Sequence, residues 1–132
     1  MAITLILRSR LYRAIAALVM AGLSHASLSS AFAAESDAWP VIGQQGLVRF
    51  VLVPSELAST YVAYENQISR LCEPERTCFL NFYTNSTGAT PAMPLPDAIA
   101  NEATATYRHS MKNGIQVFLW NCRLKIPGRE CF

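Results

Sequence analysis

Three short stretches of the chain are dense in β-branched and aromatic side chains, and each predicts a β-strand. They are residues 47–53, 77–83 and 115–124. The first is apolar at every position except Arg49, a pattern typical of a strand that is buried on both faces. The residues before it, 34–46, are mostly polar or small and predict an extended arm.

Apolar residues recur at helical spacing between these stretches. The first such pattern follows Pro54 and Ser55, which suit the start of a helix. Its apolar positions advance in steps of three and four: Leu57, Tyr61, Tyr64, Ile68 and Leu71. A second helix is expected to begin at Pro96 and to end at Asn113-Gly114, a pair that favours a left-handed helix cap.

The alternation of strand and helix predicts an α/β fold. We expect a small two-layer β-α-β-α-β domain in which right-handed crossovers build a mostly parallel three-stranded sheet. Residues 84–95, between the second strand and the second helix, are rich in Gly, Pro, Ser and Thr. This composition predicts an irregular, exposed connection.

The N-terminal third has the pattern of a secretory signal peptide. A basic cluster (Arg8, Arg10 and Arg13) precedes an apolar run from Ala14 to Leu23, and a small-residue stretch then ends at Ala31-Phe32-Ala33. We therefore expect a signal peptide over residues 1–33 and one mature domain over residues 34–132. An uncleaved anchor is the alternative, but ten helical residues span only about 15 Å, half of a bilayer core. No stable membrane anchor is expected after cleavage.

Removing the signal changes the charge of the chain. It takes away three arginines, so that Lys and Arg fall from 11 to 8 against 9 acidic residues. The mature domain is then nearly neutral, and its basic residues are scattered among acids. A nucleic-acid partner is not expected, because such binding requires a concentrated cationic surface.

Four cysteines, all in the mature part, predict two disulfides in an exported chain of this size. In the expected topology the first helix ends near the start of the second strand, which brings Cys72 next to Cys78. Cys122 lies late in the third strand, about 17 Å away along the sheet, beyond the roughly 7 Å that a disulfide allows. We therefore predict Cys72–Cys78 and Cys122–Cys131. An antiparallel third strand would remove this argument.

The mature chain contains few residue patterns that indicate a catalytic or metal-binding site. Its one histidine, His109, is flanked by Arg108 and Ser110 and is expected on the solvent side of the second helix, where a surface role is favoured over that of a general base. Glu73 and Glu75 fall in a short loop outside any expected cleft, and the glycines form no phosphate-binding loop. We expect no catalytic residue, no metal site and no cofactor.

One polar site is predicted at the edge where parallel strands deliver their C-terminal ends, because ligands of parallel sheets bind there. Its residues carry hydroxyl, amide and guanidinium groups suited to a small anionic or sugar-like ligand: Ser55, Asn85, Ser86, Thr87 and Arg123. Helix caps and a polar loop are the stronger alternative explanation of the same residues. The acids Glu56 and Asp97 at the helix starts would also repel an anion.

Export, disulfides and the scarcity of reactive groups together favour one class of function. We expect a periplasmic or secreted, non-enzymatic binding or interaction module of the cell envelope, with an envelope component or another protein as its partner. The alternative is a small extracytoplasmic enzyme or enzyme inhibitor that uses the C-terminal sheet edge and the 84–95 loop.

Overall fold

The structure is a computed structural model that describes residues 37–132. The expected signal peptide, residues 1–33, lies outside the described residues and stays a prediction. The elements follow in this order: β1 Val41–Gln45, β2 Val48–Leu52, a 3-10 turn Ser55–Leu57, α1 Tyr61–Leu71, β3 Cys78–Tyr83, α2 Asp97–Ala100, β4 Ala103–Ser110, β5 Ile115–Trp120 and a second 3-10 turn Cys122–Leu124.

The five strands form one mixed sheet whose spatial order, β1-β2-β3-β4-β5, equals the chain order. Only β2 and β3 pair in parallel, joined by the α1 crossover, while the other three pairings are antiparallel. The prediction of a mostly parallel three-stranded β-α-β-α-β domain is therefore wrong. The described chain has a five-stranded, mostly antiparallel sheet with two helices, one of them a single turn.

The error lies mainly in the expected second helix. Helix α2 ends at Ala100 after one turn, and the chain then continues as β4. Within β4 the threonines and Tyr107 are better strand formers than helix formers, and Tyr107 packs into the core. Asn113 and Gly114 do not cap a helix. They belong to the hairpin turn between β4 and β5, where Gly114 takes a left-handed φ of 67°.

A second difference concerns the expected arm. Residues 41–45 form β1, which pairs with β2 through a tight turn at Gly46, where φ is 59°. Gln44 and Gln45 are exposed there, because β1 is an edge strand. A polar edge strand has no apolar alternation, and its sequence therefore resembles that of a loop.

The core lies between α1 and the face of the sheet that we call the inner face. Tyr64 of α1 is fully buried against it, among side chains from β2, β3 and β5: Val51, Leu80, Phe82 and Trp120. The segment before β1 closes one side. There the Trp39 amide donates to the Gln67 side-chain oxygen at 2.8 Å, while the Gln67 amide donates to the Asp37 carbonyl at 2.7 Å.

Both disulfides are present, as Cys72–Cys78 and Cys122–Cys131, with Cα–Cα distances of 5.7 and 5.0 Å. These are the pairs predicted from the sequence. Cys78 and Cys122 are far apart in this topology too, because β3 and β5 are both antiparallel to β4 and so run in the same direction. Cys78 begins β3, whereas Cys122 follows the far end of β5.

Residues 84–96 contain no regular element. Met93, Pro94 and Leu95 lie near Phe50 and Tyr83 on the face of the sheet opposite α1. Met93 of this segment packs against Gly43 of β1. Ile99 of α2, just beyond the segment, is fully buried. Within residues 37–132, none of the helices has the length and hydropathy that a membrane crossing requires.

Candidate functional site

The topology brings the predicted polar residues to one end of the sheet, because β2, β3 and β5 all finish there. Ser55 opens the first 3-10 turn and is exposed. The Asn85 side chain closes its own turn, donating to the Ala89 carbonyl at 2.8 Å and accepting from the Ala89 amide at 3.0 Å. The Thr87 hydroxyl lies 3.3 Å from the Asn85 oxygen. Both side chains thus stabilise the loop that carries them.

The residue at the centre of this end, Glu102, was not among those predicted from the sequence. Its carboxylate accepts from the Thr84 hydroxyl at 2.7 Å, from the Ser86 amide at 2.9 Å and from the Ser86 hydroxyl. The Ser86 side chain, then its amide and Thr84, lower the pKa of Glu102, and the Arg123 guanidinium contributes further. Glu102 fell within the helix expected over this region, so its proximity to Ser86 could not be predicted. In the structure Glu102 directly precedes β4.

Arg123 is likewise engaged within the chain, since its Nε donates to the Ala103 carbonyl at 2.9 Å. The polar side chains at this end of the sheet therefore form a network of hydrogen bonds. The network holds the 84–96 segment and the residues after β5 against the start of β4. A ligand would compete with Glu102 for the same donors. The small-ligand site predicted there stays a prediction.

A different part of the molecule offers an open cleft of about 480 Å³, which we call the aromatic cleft. It lies between α1 and the inner face of β4 and β5. Its lining residues are Tyr61, Glu65, Ile68, Ser69, Tyr107, Gln116 and Phe118. The cleft has a geometric cause: one helix is about 10 Å wide, whereas five strands span roughly 19 Å. A single helix therefore leaves part of the inner face uncovered.

The floor of the aromatic cleft is fixed by ring packing. The Tyr61 and Phe118 rings meet edge to face with centroids 5.2 Å apart, and Phe118 and Trp120 do so at 5.1 Å. Tyr64 supports them from the core, 5.5 Å from the Phe118 centroid. Such contacts hold each ring in place, so the cleft presents a preformed apolar surface.

Polar groups surround this floor. Burial raises the pKa of the Tyr61 hydroxyl, the neighbouring Glu65 carboxylate raises it further, and the Arg129 guanidinium opposes the change. Burial also raises the pKa of Tyr107, with a smaller contribution from Tyr61. Both phenols are thus protonated at neutral pH and can donate or accept hydrogen bonds. Glu65 is the one charged residue in the lining of the aromatic cleft.

A second opening of about 320 Å³ continues past the shared wall of Tyr61 and Phe118. It is lined by the C-terminal tail, where the Arg129 guanidinium lies 5.0 Å from the centroid of the Tyr61 ring. The Cys122–Cys131 disulfide holds this tail against the end of β5. The exposed surface between α1 and β5 is therefore longer than the aromatic cleft alone.

From the sequence, Tyr61 was expected on the apolar face of the first helix, and Glu65 was not predicted to have a role. One signal was available, because Glu65 follows Tyr61 by four residues and precedes Ile68 by three. It therefore interrupts the apolar face with a charge. Tyr107 was placed on a helix, so its proximity to α1 and β5 could not be derived.

His109 also differs from expectation. It lies on β4, not on a solvent-facing helix, and is half-buried opposite Cys78 of β3 and Gln116 of β5. Within residues 37–132, no three His, Cys, Asp or Glu side chains are grouped closely enough to hold a metal ion.

Comparison with protein-family models, with curated proteins and with solved structures gave no match to this chain.

Proposed function

We propose that the protein is an exported, non-enzymatic binding module that engages a partner protein of the cell envelope or its surroundings through the aromatic cleft. The observation that carries this proposal is the cleft itself, where fixed rings of the core lie open to solvent beside a carboxylate and hydroxyl groups. Rigid tyrosine and phenylalanine rings give large contact area at low entropic cost, and they are enriched where proteins bind one another.

Both disulfides support the choice of compartment. Such bonds persist in the periplasm or outside the cell and are rare in a reducing cytosol. With the signal-like residues 1–33, they favour a periplasmic or secreted protein.

An enzyme at the 84–95 loop has less support. The carboxylate at that end, Glu102, is held ionised by hydrogen bonds from Ser86 and Thr84, so it is poorly suited to transfer protons near neutral pH. An enzyme inhibitor remains compatible with a binding module, since its partner would be the enzyme.

Site-specific photo-crosslinking in the producing cell tests the proposal. A benzophenone amino acid replaces Ser69 at the rim of the aromatic cleft, and the matched control carries it at Arg70, about 100° further round the same helix. We expect a discrete adduct from position 69, absent from position 70 and weakened by Tyr61→Ser in the same chain. Equal labelling from both positions, or none from position 69, would contradict the proposal.

A further inference from the structure

The outer edge of β5 has a regular backbone beside the aromatic cleft. The Trp120 amide donates to the Glu130 carbonyl at 3.3 Å, and the Trp120 carbonyl accepts from the Phe132 amide at 2.9 Å. The backbone groups of Trp120 therefore point away from β4. Because strands repeat every two residues, the amides and carbonyls of Gln116 and Phe118 point the same way.

The C-terminal tail makes one strand-like contact with this edge. Cys131 forms a parallel bridge with Trp120, but the bridge reaches no further along β5. Within residues 37–132, no strand lies beside Gln116 and Phe118 on that side. Four backbone groups suited to strand pairing therefore remain in line with the tail.

The other edge strand of the sheet, β1, is less suited to strand addition. The β1–β2 register shifts between Val41 and Gly43, and such irregularity discourages strand addition. The β4–β5 register has no shift from Ile115 to Trp120. Strand addition is therefore favoured at β5.

The side chains of Gln116 and Phe118 line the aromatic cleft. A strand added beside β5 would direct every second side chain to the same face of the sheet, above the cleft. The open edge and the cleft thus form one surface, in which the backbone supplies affinity and the cleft supplies selectivity.

The charge of the cleft specifies the side chain that fits. Glu65 offers a carboxylate, while the rings of Tyr61 and Phe118 offer apolar surface for an aliphatic stem. The Arg129 guanidinium occupies one face of the Tyr61 ring at 5.0 Å, so the charge of an incoming side chain would pair with the Glu65 carboxylate. A lysine or arginine of the partner therefore matches the cleft in both shape and charge.

We propose that the partner binds as an extended segment that adds a sixth strand to β5 and inserts one Lys or Arg side chain into the aromatic cleft against Glu65. This inference rests on the proposed function and names the chemistry of its partner. The backbone contacts would fall at Gln116 and Phe118, and the tail would define the end of the added strand.

The probe is a library of random decapeptides displayed on phage and selected on the purified, disulfide-bonded protein. We expect enrichment of sequences with one Lys or Arg among β-branched or aromatic neighbours. For the best synthetic peptide, Glu65→Gln should weaken binding about tenfold, because a charge-assisted contact is lost. No enrichment, or enrichment without a basic residue, would overturn the inference.

Backbone pairing is tested at Gln116. Gln116→Pro removes an outward amide without breaking the β4–β5 ladder, whereas Gln116→Ala removes the side chain and keeps the amide. We expect Gln116→Pro to bind the peptide at least tenfold more weakly than Gln116→Ala. In the unmodified protein the peptide should slow hydrogen exchange at the Phe118 amide, a measurement independent of how the variants fold. Equal affinity of the two variants, or unchanged exchange, would overturn strand addition.

Two further results separate this inference from the proposed function. If the Ser69 cross-link forms but is equal in Gln116→Pro and Gln116→Ala, the binding module stands and strand addition fails. If sedimentation shows a dimer that Gln116→Pro dissociates, a second copy of the chain occupies the edge and the peptide proposal fails.

Discussion

At the scale of single residues, Tyr64 joins the helix to the sheet. Its hydroxyl donates to the Ala58 carbonyl at 2.9 Å and lies 2.9 Å from the hydroxyl of Thr104, which is fully buried. Its ring packs edge to face on four aromatic neighbours: Trp39, Phe82, Phe118 and Trp120. One side chain thus combines a satisfied polar contact with the centre of the core.

Removing that hydroxyl should be costly. In Tyr64→Phe the buried Thr104 hydroxyl loses its partner, and we expect the free energy of unfolding to fall by about 1–2 kcal/mol. Urea unfolding of Tyr64→Phe, Thr104→Val and the double variant measures the coupling. The double variant should be less destabilised than the sum of the single variants, and strict additivity would show that the two hydroxyls do not interact.

Tyr64 should also make the free energy of unfolding depend on pH in the alkaline range. Burial raises the pKa of Tyr64 to about 12, above the ordinary value of 10.0, so the folded state keeps a proton that the unfolded chain releases. This contribution is complete below pH 10 and is lost as the pH rises toward 12. In Tyr64→Phe it is absent, so the difference in unfolding free energy from the unmodified protein should narrow as the pH rises from 10 toward 12. A constant gap would contradict the assignment.

Glu102 should make the free energy of unfolding depend on pH in the acidic range. Because its hydrogen bonds lower the pKa, the carboxylate stabilises the fold above its ordinary value of 4.5, and this contribution is lost as the pH falls through the lowered value. We expect Glu102→Gln to cost about 1 kcal/mol at pH 7 and less at pH 3. The matched control is Glu56→Gln, at an exposed carboxylate, which should change the free energy of unfolding at pH 7 by less than Glu102→Gln does.

At the scale of elements, patterning predicted β2, β3 and the end of α1 close to their actual bounds, because each has a dense apolar face. The start of α1 was wrong, since Ser55 opens a separate 3-10 turn and α1 begins at Tyr61. Patterning failed at β4, where the threonines and alanines fit a helix pattern equally well. Pairing with β3 and β5 decides the outcome there, and this tertiary contact is not encoded in local spacing. The aromatic cleft could not be predicted for the same reason, since β4 and β5 supply Tyr107, Gln116 and Phe118.

The contact between β1 and the 84–96 segment gives an element-scale prediction. A Cβ on Gly43 would lie 2.5 Å from the sulfur and 2.6 Å from Cγ of Met93, so Gly43→Ala should displace Met93 and cost about 1 kcal/mol. In a Met93→Ala background the clash is gone. There Gly43→Ala should instead stabilise by about 0.5 kcal/mol, because alanine suits a strand better than glycine. Thermal unfolding of the four proteins reveals this change of sign, and the same sign in both backgrounds would refute it.

At the scale of the whole molecule, the predicted export and the observed disulfides make a joint prediction. We expect the protein isolated from its producing cell to begin at Ala34 and to carry both cysteine pairs oxidised. Intact-mass analysis with and without reduction measures both features. A chain of 132 residues whose thiols alkylate without reduction would contradict the expected compartment.

Each disulfide joins two consecutive cysteines, the first to the second and the third to the fourth along the chain. Of the three pairings open to four cysteines, this is the one that forms when sulfurs oxidise in their order along the chain. A chain threaded N-terminus first into an oxidising compartment presents Cys72 and Cys78 before Cys122. Sequential oxidation then yields the native bonds directly, and the protein should mature in cells that lack a disulfide isomerase.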